Sequence, residues 1–396
     1  MTPQPTAQVT EPLRGRRLAL VTWRDPWHPD AGGAEQYAWE MARGLTRRGA
    51  RISYLTARAP GQAARDRRDD IDIIRRGGRL TVYPLALAWM ARHRRSFDAV
   101  LDLQNGIPFF TPLVLPDKVP VLLIVHHVHD DQFGVHFPAP VAAVGRLLEG
   151  PVARWCYRRH QCVTASQSSL AALRSRLAWT GPIYLVPNGL CAGTAGEAAP
   201  ASEPTGTLLT WVGRLVAHKR VDRVLDIADR LAGSDVTIEV IGRGPELAPL
   251  ADQVAARGLA GRVVLRGYLP EEEKHRSVAA SRLHLNTSQG EGWGLCVLEA
   301  AALGVPTVAY DVDGLRDSVR DGQTGWLVKD GEHIEDVTER ALKELADPAR
   351  RAEMAAACRR WASQFDWDTS AAQMAELISA AWRGQMPAPA DEPGSA

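Results

Sequence analysis

Residues 283–306 read Leu-His-Leu-Asn-Thr-Ser-Gln-Gly-Glu-Gly-Trp-Gly-Leu-Cys-Val-Leu-Glu-Ala-Ala-Ala-Leu-Gly-Val-Pro. The apolar run Leu283–Asn286 gives way to a glycine-rich turn, and an amphipathic stretch then runs from Leu295 to Leu303. Strand, turn and helix in that order form the repeating unit of a parallel sheet with crossover helices. Gly292 and Gly294 let the backbone approach a ligand closely. The unpaired N–H groups at the helix start are a ready anion site. Glu291 precedes the helix and Glu299 lies within it, so the two carboxylates address different parts of one extended ligand. Sugar hydroxyls are good donors to such groups.

The same alternation extends in both directions. Upstream in the second half, strands are read at Thr207–Val212, Val236–Ile241 and Val263–Leu265, and downstream at Thr307–Ala309. Helices are expected near 221–231, 245–257, 271–280, 334–345, 349–364 and 369–382. In the first half, strands fall at Arg17–Trp23, Arg51–Thr56, Ala99–Leu103, Val121–His126, Gln161–Ala165 and Ile183–Val186. A Gly32-Gly33 turn leads into a helix over 34–48. The polar, Ala/Pro/Gly-rich stretch Asn188–Gly206 has the composition of a linker. The chain is therefore read as α/β, with two Rossmann-like domains at 15–190 and 207–366 and a linker at 191–206. Ligands of such sheets sit at the carboxyl ends of the strands, here in a cleft between the domains. The ends, 1–14 and 386–396, read as flexible tails.

Composition agrees with two cores. The 396 residues are 45% hydrophobic and 23% charged, as in a soluble globular protein. Apolar runs such as Val119–Val125 are strand-length, well below the roughly 18–20 residues of a membrane span. The polar start of the chain lacks the pattern of a signal peptide. Five cysteines, an odd number without a C-x-x-C pair, argue against a disulfide framework and for a reducing cytoplasm. The net charge of +1 hides an asymmetry. Residues 1–190 carry 25 Arg/Lys against 15 Asp/Glu, whereas 191–396 carry 22 against 31. A basic first half would attract an anionic acceptor or a membrane surface; its plainer role is solvated helix faces.

Two further turns follow strand ends. Trp211-Val-Gly213-Arg214-Leu-Val-Ala-His-Lys219 sets two cations around a glycine turn, suited to a diphosphate. Ile241-Gly-Arg-Gly-Pro-Glu246 departs from G-x-G-x-x-G and reads equally as a strand-end turn capped by Glu246. The glutamate pair, the Gly-Arg…Lys turn and the Gly-x-Gly-Pro turn resemble, in order and spacing, the donor domain of retaining family-4 glycosyltransferases of GT-B fold. In the first half, Asp30-Ala-Gly-Gly33-Ala-Glu35 resembles that family's Gly-Gly loop. Val119–His126 resembles its strand ending in histidine, and Val186-Pro-Asn-Gly189 its domain junction. Trp293 stands where Phe is common, Arg220 where Gly is common, and Cys191 where Asp is frequent.

The resemblance implies roles. Arg214 and Lys219 would hold the donor diphosphate as it leaves, Glu299 the ribose, and Glu291 the hydroxyls of the transferred sugar. Gly213, Gly292, Trp293 and the backbone N–H groups of Gly294, Leu295 and Cys296 would line the donor. Gly33 would reach the diphosphate from the other domain, and His126 would face the sugar. A helix at 367–385 would return to the first domain. The reaction would proceed with retention and without a metal or other cofactor, since two cations and a helix terminus can stabilise the leaving group. The family attributes retention to attack on the face the diphosphate leaves, with the diphosphate helping to take the acceptor's proton.

Other polar clusters are candidates for the acceptor. Asp102-Leu-Gln104-Asn105-Gly106 ends a strand and serves either as contact or as an Asn-Gly turn. His127 and His129 with Asp130 or Asp131 would suit a metal, but no Cys or Glu-x-x-His partner accompanies them. The run reads instead as one sugar-facing histidine and a polar loop, with His127, Asp130, Asp131 and His136 near the acceptor. Asp311-Val-Asp313 has metal-pair spacing but follows a different strand. Among the tryptophans, Trp23, Trp27 and Trp293 lie near these loops, while Trp89 and Trp155 neighbour arginines that would seat a membrane interface; packing is the default for all. The expected partners are a nucleotide-sugar donor and a small-molecule, glycan or lipid-linked acceptor, with no nucleic acid. The expected place is the cytoplasm, with contact to the inner membrane face as an extension. Competing readings are a sugar-nucleotide epimerase, a phosphorylase of similar build, or a non-catalytic nucleotide-sugar binder. A dinucleotide dehydrogenase lacks its G-x-G-x-x-G after the first strand.

Overall fold

Strands covered on both faces need near-continuous apolar runs, and Val121–Val125 is buried at every position. A computed structural model describes residues 12–190 and 206–391. Within them the chain divides into two units that meet in sequence at Gly189/Leu190 and at Asp366/Trp367, with Ser166–Ser168 grouped in the second.

The first unit holds an eight-stranded sheet in the order β3-β4-β2-β1-β5-β6-β7-β8. Its strands are β1 (Arg17–Val21), β2 (Arg51–Thr56), β3 (Arg65–Arg68), β4 (Ile71–Arg75), β5 (Ala99–Gln104), β6 (Val121–Val125), β7 (Gln161–Thr164) and β8 (Ile183–Leu185). All neighbours are parallel except the edge pair β3–β4. The helices are α1 (Gly33–Arg47), α2 (Val82–Arg92), α3 (Asp130–His136), α4 (Ala139–Leu147), α5 (Ala153–Tyr157) and α6 (Gln167–Ser175). One π-helical turn, Leu148–Val152, joins α4 to α5.

The second unit holds a fully parallel six-stranded sheet, β11-β10-β9-β12-β13-β14. Its strands are β9 (Thr207–Val212), β10 (Val236–Ile241), β11 (Val263–Gly267), β12 (Leu283–Asn286), β13 (Thr307–Tyr310) and β14 (Gly325–Val328). Helices α7 (Arg223–Arg230), α8 (Leu247–Ala256), α9 (Glu271–Ala280), α10 (Leu295–Ala302), α11 (Leu315–Ser318), α12 (Ile334–Leu345) and α13 (Pro348–Ala362) accompany them. Two Rossmann-like parallel sheets with helices are thus the observed architecture.

The last helix, α14 (Trp367–Arg383), belongs to the first unit and packs on α1. Arg48 of the first helix's C-cap holds Asp368 through two nitrogens at 2.9 and 3.0 Å. A Cβ on Gly44 would meet that of Ala371 at 2.3 Å, so a glycine lets the helices approach.

Both chain ends depart from the sequence reading. Leu13 is fully buried and its N–H donates to the Arg48 carbonyl, so packing begins before residue 15. Near the other end, the Ala390 N–H donates to the Ile183 carbonyl and Asp391 pairs with Arg174 at 2.6 Å. Residues 1–11, 392–396 and the linker 191–205, with Cys191, lie outside the described residues. Among the described residues no helix is long and apolar enough to cross a membrane.

Candidate active site

In each sheet the strand order reverses at one place, and loops at that place splay apart to leave room for a ligand. In the second unit the reversal lies between β9 and β12, which pair Leu209 with Leu283 and Trp211 with Leu285. The two loops leaving them carry Gly213–Lys219 and Thr287–Gly294. Three hydrogen bonds sew these loops together. The Trp211 indole N–H donates to Thr287 Oγ1 at 2.9 Å, Thr287 Oγ1 donates to the Lys219 carbonyl at 2.7 Å, and the Gln289 N–H donates to the His218 carbonyl at 2.9 Å.

That stitching brings Lys219 to Glu291. The Lys219 ammonium pairs with Glu291 Oε1, and Ser288 Oγ donates to the same oxygen at 2.7 Å. Burial works against the charged form of Glu291. The Lys219 charge and the hydrogen bonds from Lys219 and Ser288 overcome it and hold the carboxyl below its usual range. The carboxylate is therefore held in its ionised form by these two side chains.

A third loop supports Glu291 from behind. Its N–H donates to the Asp313 carbonyl at 3.0 Å. A Cβ on Gly314, whose φ is +77°, would sit 2.3 Å from the Glu291 carbonyl oxygen, so only glycine permits this approach. The Asp311-Val-Asp313-Gly314 stretch is therefore a brace for Glu291. Its carboxylates are engaged by Arg316, at 2.9 Å to Asp311 and 3.2 Å to Asp313.

The Gly242-Arg243-Gly244 turn plays the same part for the Arg214 loop. The Gly213 N–H donates to the Ile241 carbonyl and the Leu215 N–H to the Arg243 carbonyl, at 3.1 and 3.0 Å. A Cβ on Gly242 would stand 1.8 Å from the Gly213 carbonyl oxygen. Glu246 is no side-chain cap; its N–H donates to the Leu215 carbonyl instead. Arg220 follows Lys219 with φ +48°, a left-handed backbone that glycine adopts freely. A glycine-favouring position is thus occupied by arginine, whose guanidinium lies over the Tyr310 ring at 4.7 Å.

Helix α10 starts at Leu295 behind a left-handed Gly294. Cys296 points inward, its sulfur accepting from Asn286 Nδ2 at 3.4 Å, and burial pushes its thiol up to about 12. Glu299, one turn on, pairs at 2.9 Å with Lys274 of α9. Burial disfavours the Lys274 charge, but Glu299 and Glu271 outweigh it and raise its pKa. Lys274, 25 residues away in sequence, was not legible beforehand. The Trp293 ring is buried edge-on against Phe365, at 5.1 Å between centroids.

The first unit has its own reversal, between β1 and β5. Helix α1 begins at Gly33, and the Gly32 N–H donates to Glu35 Oε2 at 2.8 Å. Arg24 stands 3.7 Å from Glu35, and behind β1 the buried Asp25 pairs with Arg75 at 2.5 Å. Beyond β5 the chain turns tightly, Asn105 bridging to Ile107 around a left-handed Gly106. Asn105 therefore does serve a turn. Asp102 is tied inward, accepting from the Phe109 N–H at 3.0 Å and Tyr157 hydroxyl at 2.5 Å.

His126 follows β6, buried, its ring edge-on to Tyr37 at 4.5 Å. Burial first, then His127 and His129, lower its pKa to about 3, so the imidazole is neutral at pH 7. Its Nε2 is buried without a hydrogen-bond partner among the described residues. Asp130 is ion-paired with Arg176. His127 and His129 lie ring against ring, centroids 3.9 Å apart.

One residue that the sequence reading passed over joins this cluster. Glu149 emerges from the π-helical turn and is fully buried. Its Oε1 accepts from the His129 N–H at 2.7 Å and from Gln104 Nε2 at 3.3 Å, and His129 Nδ1 lies 3.3 Å away. Its Oε2 has no partner among the described residues. Burial raises the carboxyl to about 8, with the bonds from His129 and Gln104 pulling the other way. Extra residues in π turns commonly re-aim a side chain at a functional site. A signal was present: between Pro138 and Val152 the only charged residues are Arg146 and Glu149.

Comparison with known proteins follows this geometry. Residues 31–191 match the Glycosyltransferase Family 4 family, and residues 197–361 match Glycosyl transferases group 1. The 2-deoxystreptamine glucosyltransferase of Streptomyces kanamyceticus is 30% identical over 351 residues, 78% of this chain and 88% of that relative. A GDP-mannose-dependent phosphatidylinositol monomannoside mannosyltransferase of Mycolicibacterium smegmatis is 35% identical over 182 residues; the match spans 43% of this chain and about half, 47%, of that relative. Sucrose-phosphate synthase of Thermosynechococcus elongatus superposes with a TM-score of 0.77 at 18% identity, over 93% of this chain and 100% of its own, a likeness of fold. Two braced strand-end loops carrying Lys219 and Glu291, two family matches in tandem, and a near-full-length relative place this chain among the family-4 glycosyltransferases of GT-B fold.

Proposed function

We propose that the protein transfers a sugar, with retention of configuration, from a nucleotide diphosphate sugar to a hydroxyl-bearing acceptor. The observation that carries this reading is the Lys219–Glu291 pair at the strand-order reversal of the second unit, on loops that also carry Arg214 and lead into α10. In transfer, the bond from the anomeric carbon to the diphosphate breaks and a bond to the acceptor oxygen forms. The acceptor's proton passes to the departing diphosphate. Charge grows on that group, and on this reading Arg214, Lys219 and the N–H groups of Gly294, Leu295 and Cys296 stabilise it without a metal. Glu291 holds hydroxyls of the transferred sugar, and Glu299 the ribose. Gly33 offers a further N–H toward the diphosphate. A neutral His126 orients a sugar hydroxyl rather than adding charge.

The acceptor belongs to the first unit, where Gln104 donates to Glu149 and Asn105, His127 and Asp130 follow the same two strands, β5 and β6. The named relatives act on a phosphatidylinositol mannoside and on 2-deoxystreptamine, so a lipid headgroup and an aminocyclitol are the two acceptor classes to try first. The basic first half favours the anionic one and an approach to the membrane surface. A panel of nucleotide sugars incubated with such acceptors in the presence of a chelator tests the reading. Release of nucleoside diphosphate matched by an α-linked product from an α-linked donor is expected. Product of inverted configuration, or turnover abolished by chelation and restored by a divalent metal, would overturn it.

A further inference from the structure

Surface helices normally turn polar residues outward. Helix α4, Ala-Pro-Val-Ala-Ala-Val-Gly-Arg-Leu, does the reverse: Ala142 is its buried side chain, while Val141, Val144 and Leu147 are exposed. Spaced three apart, these fall in one sector about 120° wide. The π turn carries the helical path into α5 and Trp155. Leu113, in the short turn that packs on α5, adds a fifth side chain. All five are 52–57% exposed, and they make up five of the nine large apolar side chains exposed among the described residues.

Along this stretch of chain the exposed charge has one sign. From Pro138 to His160 the cations are Arg146, Arg154, Arg158 and Arg159, and the one acid, Glu149, is buried. The Arg158 guanidinium lies 5.2 Å from the Trp155 ring centre. Leu113 also shares a groove in which Arg17, Arg94, Arg95 and Lys118 outnumber the one acid, Asp98.

We propose that this face docks on an anionic lipid bilayer, with Val141, Val144, Leu147 and Trp155 in the headgroup boundary and Arg146, Arg158 and Arg159 on lipid phosphates. Apolar side chains with a tryptophan, rimmed by arginine, are the chemistry of an interfacial helix. A second copy of the chain fits poorly. A two-fold contact would set the arginines against their own copies, with no exposed acid on α4 or α5 to offset them. The proposal rests on the reading that the first unit meets the acceptor. Binding is measured without donor or acceptor, so its failure is separate from failure of the transferase assignment.

The test is co-sedimentation of the full chain with vesicles of phosphatidylcholine alone or with about 30 mol% phosphatidylglycerol. Binding should be at least about 10-fold tighter to the anionic vesicles and should weaken as salt rises. The double variant Val144→Asp, Leu147→Asp and the pair Arg158→Glu, Arg159→Glu should each lose about 10-fold or more. Their thermal midpoints should match wild type, since these side chains are exposed. Equal binding to both vesicles, or variants that sediment like wild type, would overturn the proposal. So would a dimer in sedimentation velocity that Val144→Asp, Leu147→Asp converts to monomer, because the face would then be a self-interface.

Discussion

The candidate binding groups of the two units are set to opposite electrostatics. In the second unit, Lys219 is paired with Glu291 and Lys274 with Glu299, each carboxylate facing a basic side chain. In the first, His126 and Glu149 are pushed by burial toward their neutral forms, the one down to about 3 and the other up to about 8. A cation already held beside a carboxylate can exchange that partner for a ligand phosphate. Neutral hydrogen-bonding groups suit a sugar or acceptor hydroxyl, because they orient it without holding a charge. On the proposed reading, the second unit's groups suit a diphosphate and the first unit's suit hydroxyls.

That contrast can be broken by mutation. The largest effect is expected for Glu291→Ala, which frees Lys219 and removes the contact proposed for the transferred sugar. Turnover should drop by about 100-fold or more while affinity for the nucleoside diphosphate holds or tightens. Steady-state kinetics beside calorimetry separates the two quantities. Parallel loss of both would mean that Glu291 serves the fold of the loop rather than the sugar.

Gly314→Ala should act on the same carboxylate from behind. Its new Cβ would meet the Glu291 carbonyl at 2.3 Å, in a left-handed backbone. A loss of about 2–4 kcal/mol in a denaturant melt is expected, with reduced turnover in the folded fraction. A wild-type melt would show that the 313–314 loop yields easily and does not brace the site.

Glu149→Gln probes the neutral end. The substitution keeps the contact to the His129 N–H and cannot ionise. In the wild-type chain, acceptor-side kcat/KM should fall as pH passes about 8, where Glu149 takes up charge between His129 and Gln104. The variant should lose that inflection. Stability has a definite sign too. Between the usual carboxyl value of 4.5 and about 8 the unfolded chain has released the proton that the folded chain keeps. Wild-type stability therefore declines with rising pH across that window, by at most about 1.4 kcal/mol per unit, and the variant should be flatter. Identical pH profiles for both proteins would remove Glu149 from the account.

What the sequence disclosed follows the range over which each signal acts. The parallel strands, α10 and the glycine turns were legible because apolar period and glycine punctuation are local. The hairpin β3–β4 was missed, since Arg-Asp-Arg-Arg on an antiparallel edge has no apolar face to announce it. β14 was missed because its first residue is a glycine, required there because a Cβ on Gly325 would stand 2.0 Å from the Thr307 carbonyl oxygen. Glu291 could be nominated from its loop, but its partners come from elsewhere: Ser288 nearby, Lys219 72 residues before, and a carbonyl of Asp313 beyond the next strand. The Gly242-Arg-Gly244 turn looked like a weak ligand loop, and its close backbone contact with Gly213 makes it a support. Glu149 owes its place to a π turn, which no local pattern encodes.

The central claim is that Lys219 and Arg214 hold a diphosphate beside Glu291. It is tested most directly by calorimetric titration of uridine and guanosine diphosphates into wild type, Lys219→Ala and Arg214→Ala, with thermal melts to confirm folding. The account predicts that whichever nucleotide the wild type prefers binds at least about 10-fold more weakly to each variant. Wild-type affinity in both folded variants would contradict it.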